Sequence, residues 1–446
     1  MPVTQLHGWG AQRRVECDER QPETASEVAR AVSTDGTVGR GLGRSYGDQA
    51  LNEHRRVITM TRLDRYLSFD EGTGLLRCEA GVSLGQIIRD FGPRGSFPAI
   101  TPGTKFVTVG GCIANDVHGK AHHAQGTFVT CVESMQLLVA DGRVVTASRS
   151  ENSELFWATF GGVGLTGMVL EATLRLRKIE TTYFRQRAIP TKDLSHTLEV
   201  LEEYDSKSPY SVATLNSVAT GARLGEGVVN VGDHAYLDEL PAKLKKHPLK
   251  LVGDSPLVVP FDLPELTLNP LTIRVVNQVI TAMMKSKGEF TLYEEFFYPL
   301  DMINDWYRGY GKRGFIQYQF VVPYAAGADT VRSLMNTMMT SGQLPFLNIL
   351  KRMGDANEAH LSFPMKGYTF AIDFPVRDGL VELTRELDAR VADAGGRIYL
   401  GKDSFLEAAM LRRMYPRVGE WLEVKKKWDP ESVFSSDLGR RLELSR

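Results

Sequence analysis

Three glycine clusters in the first 170 residues are the places where this sequence is best equipped for chemistry: GRGLGRSYGD from Gly39 to Asp48, TPGTKFVTVGGCIANDVHG from Thr101 to Gly119, and GGVGLTG from Gly161 to Gly167. Glycine lets a ligand come close to backbone N–H groups, and two separated loops of this kind suit the two ends of a pyrophosphate. The first cluster has G-x-G spacing, but neither a helical pattern nor a placed acidic residue follows to close a βαβ unit, so a Rossmann site is not expected. His118, His122 and His123 sit close together in DVHGKAHH. They lack a companion pair of ligands at metal-site spacing, so no metal is expected. In QYQF, Gln317 and Gln319 are two apart and project to one face if the segment is a strand. That pattern alone is equally compatible with an ordinary polar sheet face.

The elements around these residues change character along the chain. Glu23 to Val32 reads as a short amphipathic helix, TVGRG as a glycine-bounded strand, and CVESMQLLVADGRVVTAS as a hairpin turning at Asp141 and Gly142. SENSELFWATFGG reads as a helix opened by a Ser or Asn cap, and GMVLEATLRLRKIE as a strand. Beyond about Thr181 the glycine loops stop. Strand-like GFIQYQFVVPY and YTFAIDFPV then alternate with helical DTVRSLMNTMMTSG and GLVELTRELDARVADAGG, which points to a second, α+β unit. With 53 Lys+Arg against 54 Asp+Glu no overall field draws nucleic acid, and Cys17, Cys78, Cys112 and Cys131 form neither a disulfide framework nor a zinc site. No signal-peptide pattern and no spanning run of about 18 apolar residues is expected. The stretch Leu251 to Met284 mixes apolar residues with prolines. It reads either as core or as a flap that docks on a bilayer.

These motifs together identify the chain as similar to the vanillyl-alcohol-oxidase type of FAD-binding family, and within it to the branch acting on decaprenylphosphoryl ribose. The resemblance rests on GLGRSYGD, PGT with TVGG, DVHGKxHH, ELFWATFGGVGLTG, YPLDM, QYQF, LSFP, DFP, GKDS, MYPRV and FSSDLGRRLEL, which run from end to end. It implies a two-domain α+β, PCMH-type FAD-binding fold with an antiparallel-sheet substrate domain. Residues 1–180 and 397–446 would form the FAD-binding unit and 181–396 the substrate unit. The first loop would line FAD with Gly39, Arg40, Gly41, Leu42, Gly43, Arg44, Ser45, Tyr46, Gly47, Asp48 and Gln49. The second would do so with Gly103, Thr108, Val109, Gly110, Gly111, Asn115, Asp116, Val117 and His118, joined by Val169 and Tyr399. Relatives that bind flavin covalently use a His where this chain has Arg44, and Cys112 falls after the glycine pair, so the FAD is expected to be non-covalent.

The same resemblance places Lys402 beside flavin and substrate with His118 and Tyr46. It places Gln317, Gln319, Lys351, Thr369 and Ala371 against the sugar. Lys402 would orient a hydroxyl and stabilise negative charge, and would act as a base only if its pKa fell from about 10.4. Mycobacterial relatives carry a cysteine at the position of Ala371 and an asparagine at that of Thr369. Nitroaromatic inhibitors trapped by that cysteine should therefore bind here only reversibly. The implied reaction is oxidation of the ribose 2′-hydroxyl of decaprenylphosphoryl-β-D-ribose to the 2′-keto sugar. A short-chain NAD(P)H-dependent reductase would complete the epimerisation to the arabinose donor of cell-wall arabinan. Peripheral attachment to the inner membrane in the cell envelope is implied, with the cytoplasmic face left open. Two other readings stand beside it: an alditol or sugar-lactone oxidase of the same fold, and a non-catalytic envelope scaffold stabilised by FAD.

Overall fold

The strand Phe315–Pro323 shows how this chain builds a wall for chemistry. Ile316, Tyr318, Phe320 and Val322 point to a large apolar core, and the alternation sends Gln317 and Gln319 to the opposite face. The neighbouring strands repeat the pattern. Phe370, Ile372 and Phe374 of Gly367–Pro375 join the same core, as do Leu350 of Asn348–Met353 and Ala213 and Leu215 of Tyr210–Leu215. That core is closed by the helices Leu194–Tyr204, Gly327–Thr340 and Leu380–Asp393. One face of the sheet is thus covered by helices, while the other carries Gln317, Gln319, Thr369, Ala371, Asp373, Ile349 and Lys351.

The computed structural model describes residues 3–253, 255–285 and 288–446. The large sheet has eight strands, all paired antiparallel, in the order Phe290–Leu292, Tyr183–Thr191, Gly227–His234, Tyr210–Leu215, Asn348–Met353, Gly367–Pro375, Phe315–Pro323, Arg397–Ile398. A six-stranded sheet is built on the long strand Met168–Lys178, and a four-stranded sheet joins Val3–His7, Arg14–Arg20, Arg56–Thr59 and Thr37–Arg40. In the smallest sheet Thr37–Arg40 runs parallel to Arg56–Thr59. A parallel pair needs a long return connection. Here residues 41–55 supply it without a helix, which leaves the first glycine loop as open backbone at the end of a strand.

The elements read from the sequence are present at nearly the expected places. Ala25–Ala31 is a helix capped by the Thr24 side chain, and Leu84–Phe91 is a helix with a capping box between Ser83 and Gln86. The strands Val132–Leu138 and Val144–Ser148 form the hairpin, with Gly142 at φ +85° in its turn. One expectation needs correction, and one of two open readings falls away. The second glycine segment is not all loop: Val109–Ala114 is a short helix whose first turn is capped by Thr108, whose hydroxyl accepts from Gly111 N–H. The Leu251 to Met284 stretch, apart from Asp254 outside the described residues, is not core. Phe261, Leu266 and Leu271 are 61%, 88% and 70% exposed, although the helix Pro270–Lys285 is anchored by buried Ile273 and Asn277.

The last fifty residues lock the glycine loop to the large sheet. Arg441 bonds both oxygens of Asp48 at 2.7 and 2.9 Å and reaches Asp403 at 2.9 Å. The Gln49 amide donates to the carbonyls of Leu400 and Asp403 at 2.6 and 2.7 Å, while its own oxygen accepts from Gly47 N–H. Both carboxylates of the clamp are buried, so losing Arg441 would strand two charges at a cost of about 3–5 kcal/mol.

Candidate functional site

The glycine loops and the polar face of the large sheet enclose a cavity of about 890 Å³. Its floor is backbone. Ser45 and Tyr46 carbonyls accept from the N–H groups of Trp9 and Gly10, and because a trans peptide points its N–H opposite its carbonyl, the Tyr46 N–H faces away from that segment. The N–H groups of Leu42 to Tyr46 have no acceptor among the described residues. A run of free donors is the arrangement that binds a diphosphate. Close approach also fixes the glycines: a Cβ on Gly41 would lie 2.2 Å from Thr108 Oγ1, and one on Gly47 would lie 2.2 Å from the Asp403 carbonyl.

Most of the expected FAD-lining residues are in the cavity wall, with three exceptions. Asp48 is engaged by Arg441. Val109 is buried in the short helix, and Asp116 accepts from Ser362 at 2.5 Å, Asn357 at 2.6 Å and Val129 N–H at 3.2 Å. These three hold the loops rather than line the cavity. Five buried polar atoms without a protein partner belong to residues of this wall: Arg44 Nε, Asn115 Oδ1, His118 Nδ1, Asn230 Oδ1 and Gln319 Oε1. Buried donors and acceptors are normally satisfied, so these groups and the free N–H run fit a polar, phosphate-bearing cofactor such as FAD. Arg44, at the covalent position of other relatives, lays its guanidinium over Trp9 at 3.8 Å and cannot form a flavin bond. None of the four cysteines lines the cavity, and all are buried. The expected outcome is that acid precipitation of the purified yellow protein releases FAD into the supernatant; yellow colour retained in the denatured pellet would contradict it.

His118 is held by a chain of hydrogen bonds that fixes its proton. The Thr369 hydroxyl donates to the Phe320 carbonyl at 2.8 Å, so it accepts from Gln319 Nε2 at 3.1 Å, and the second amide hydrogen points to His118 Nε2 at 3.1 Å. With Nε2 accepting, the imidazole proton sits on Nδ1. Burial, reinforced by the positive charges of Lys351, His122 and Lys402, holds the His118 pKa far below the usual range, so the ring is neutral. His118 therefore offers the cavity a hydrogen-bond donor, not a base. Thr369 lies behind Gln319 and does not line the cavity, whereas Ala371 pairs with both Gln319 and Ile349 and does. His122 and His123 hold the loop, His122 Nδ1 accepting from Gly354 N–H at 3.1 Å and His123 Nε2 lying 3.0 Å from the Ser208 carbonyl.

Lys402 lies at the far end of the same face, and its surroundings contain two residues that sequence reading did not single out. Its ammonium donates to Gln317 Oε1. Gln317 Nε2 donates to Asp373 Oδ1 at 2.5 Å, and Tyr310 OH donates to Asp373 Oδ2 at 2.9 Å. Gln317 is thus a bridge between a cation and a fully buried carboxylate, with neither end of its amide left over. Burial pulls Lys402 down to about 7, the positive charge of Lys351 adds to this, and Asp373 opposes it. Burial likewise pushes Asp373 up to about 6. Tyr46 stands close by, its ring 5.6 Å from the Lys402 nitrogen and edge-on to Phe315 at 5.5 Å. Asp301, also missed, lines the cavity near Arg44, and burial raises it to about 6. Asp373 had a legible signal, since it continues the 369, 371, 373 alternation. Tyr310 and Asp301 had none.

Comparison with known proteins agrees with this architecture. A family model described as FAD binding domain matches residues 20–148, and one described as D-arabinono-1,4-lactone oxidase matches residues 267–442. The chain is similar to decaprenylphosphoryl-beta-D-ribose oxidase of Mycolicibacterium smegmatis, with 39% identity covering 98% of this chain and 97% of that protein. It is 35% identical to an uncharacterised protein of Streptomyces coelicolor over 79% of this chain and 97% of that one. L-gulono-1,4-lactone dehydrogenase of Mycobacterium tuberculosis matches at 23% identity over 95% and 94% of the two chains. With an end-to-end match of that strength and a cavity floored by glycine-loop backbone, this chain belongs to the decaprenylphosphoryl-β-D-ribose oxidase family, FAD-dependent oxidoreductases of the two-domain α+β vanillyl-alcohol-oxidase type.

Proposed function

We propose that this protein oxidises the 2′-hydroxyl of decaprenylphosphoryl-β-D-ribose to the 2′-keto sugar. The observation that supports this best is the continuity of the cavity. It runs from the glycine loops, past Lys402, Tyr46, His118 and Gln319, to the apolar helix Pro270–Lys285, whose Ile273, Val276 and Ile280 form part of its wall. FAD, when bound, would supply the acceptor for the hydride from the ribose C2, and the 2′-hydroxyl proton would leave to water as the keto oxygen forms. The chain's own part is placement and charge. With one ammonium hydrogen on Gln317, Lys402 has two left for the sugar oxygen at the reacting carbon, and Gln319 Oε1 is free to accept from a ribose hydroxyl. In this reading residues 1–180 and 397–446 hold the cofactor and 181–396 the substrate, with Arg397–Ile398 crossing back as an edge strand of the large sheet.

A lipid-linked substrate also gives a role to the outer surface of the same helix. Leu271 and Val275 are exposed there, and Leu257, Phe261 and Leu266 lie exposed on the segment before it. Exposed apolar residues on this scale mark contact surfaces, and an interfacial helix needs no spanning segment. No helix among the described residues is long and apolar enough to cross a membrane. We assign this surface to peripheral attachment at the inner membrane. Replacing Phe261, Leu266, Leu271 and Val275 by serine is expected to abolish flotation with liposomes and to raise KM for a long-chain substrate while sparing a short-chain one. Unchanged flotation and unchanged KM would remove the membrane role.

The product, a 2′-keto sugar on a polyprenyl phosphate, calls for a reductase of the short-chain NAD(P)H-dependent type to give the arabinose epimer. The deciding experiment is anaerobic bleaching of the bound flavin by a short-chain polyprenylphosphoryl ribose, with the keto product identified by mass. Bleaching by free alditols or sugar lactones instead would favour the lactone-oxidase reading, and bleaching by none of them the scaffold reading.

A further inference from the structure

Five cationic side chains line the cavity, and four of them already have work. Arg40 donates to the carbonyls of Ala50 and His7 at 3.3 and 2.8 Å, and Arg44 lies over the ring of Trp9. Lys120 donates to the Phe296 carbonyl, and Lys402 to Gln317. Lys351 is different: no carboxylate, carbonyl or hydroxyl among the described residues accepts from its ammonium. It is only half-buried, its side chain lining the cavity, and desolvation pulls it down to about 8. A desolvated cation without a counter-charge is costly. The fold keeps one here, on the face used for substrate.

The sheet register fixes where that charge sits. Lys351 pairs with Thr369, two residues along from the Ile349–Ala371 pair that adjoins Gln319, so it lies one step beyond the sugar-facing row. It is near enough to His118 and Lys402 for its charge to bear on both. On the side away from Gln319 the face continues through Val212 and Asn230, which pair with each other and line the cavity. In a polyprenylphosphoryl ribose oxidised at C2, the phosphorus is only three bonds from the reacting carbon, and the lipid departs from it in the other direction. The phosphate must therefore lie beside the reacting row, between the polar end of the cavity and its apolar helix.

From the unpartnered ammonium, its register and this substrate geometry, we infer that Lys351 is the phosphate subsite, pairing with the phosphodiester anion of the lipid-linked sugar. The inference rests on the proposed lipid-linked substrate and adds to it a specificity element: a cation that an uncharged riboside cannot use. Binding of the anion removes the cost of the isolated charge, so affinity and discrimination come from the same contact.

The test compares wild type, Lys351→Met and Lys351→Arg, each with its bound-flavin spectrum and melting temperature checked. Anaerobic flavin bleaching is titrated with farnesylphosphoryl-β-D-ribose and with an uncharged alkyl β-D-ribofuranoside of matching length, and methyl farnesyl phosphate is titrated as a non-reacting ligand. Lys351→Met is expected to weaken binding of the two phosphodiesters about 10- to 100-fold and that of the alkyl riboside far less, and Lys351→Arg to recover most of the loss. Equal losses on charged and uncharged ligands, or no loss on methyl farnesyl phosphate, would overturn the subsite. Wild-type flavin that stays oxidised with farnesylphosphoryl ribose would instead sink the proposed reaction, and the methyl farnesyl phosphate titration would still decide for or against Lys351.

Discussion

Lys402→Ala is expected to retain FAD and its melting temperature yet reduce the bound flavin ~10²–10³-fold more slowly with substrate, the size seen when one donor aimed at developing charge is removed. The argument is geometric. Lys402 lines the cavity, and the Gly47 to Asp403 approach that seats the glycine loop runs through backbone rather than through the lysine side chain. Its removal should therefore act on the chemical step, with the rate at saturating substrate falling by more than the affinity. Lys402→Arg should not rescue fully, because the fixed planar fork of a guanidinium cannot reproduce the compact tetrahedral set of donors with which the ammonium holds Gln317 and faces the cavity. Stopped-flow reduction under anaerobic conditions reads both constants. A variant that reduces flavin at a near-normal rate would take Lys402 out of the chemistry.

How much of this site could be read in the sequence depended on whether a residue's role was carried by local pattern. Strand alternation puts Gln317, Gln319 and Ala371 on one face, their even-numbered neighbours being uniformly aromatic or branched, but only the resemblance set that face against a sugar, since the pattern alone fits an ordinary polar sheet face equally well. The glycine loops were legible because only glycine tolerates a contact such as that of Gly41 with Thr108. Local pattern could not distinguish lining from bracing. Asp48 and Asp116 lie in the right motifs, but their carboxylates are turned into the protein by Arg441 and by Ser362 and Asn357, partners more than 200 residues away. Gln317 was likewise read as a substrate contact when both ends of its amide are engaged by Lys402 and Asp373. The exposed helix Pro270–Lys285 was ambiguous for another reason. A helix apolar towards both a cavity and the solvent has the composition of a core helix.

The Asp373–Gln317–Lys402 chain makes a prediction whose sign is fixed by charge. A carboxylate nearby favours the ammonium form, and a like charge or burial disfavours it. Lys402 stands at about 7 with Asp373 as its supporting charge and burial and Lys351 against it. If the ammonium is the working form, flavin reduction in the wild type is fast below about pH 7 and falls as pH rises through it. Asp373→Asn keeps the shape but removes the charge, so Lys402 loses its proton at lower pH and the falling limb moves to the acid side; a shift of about one unit is a tenfold loss on that limb. Tyr310→Phe should move the limb in the same direction but less far. The lost hydroxyl had favoured the carboxylate, so Asp373 holds its own proton to higher pH and supports Lys402 less. The pH dependence of the reduction rate at saturating substrate, measured for the three proteins, should place the midpoints in the order wild type, Tyr310→Phe, Asp373→Asn from high to low. Identical midpoints would reduce Asp373 and Tyr310 to packing. A rate that rises with pH through the same region would make Lys402 the base, because it would be the free amine that works.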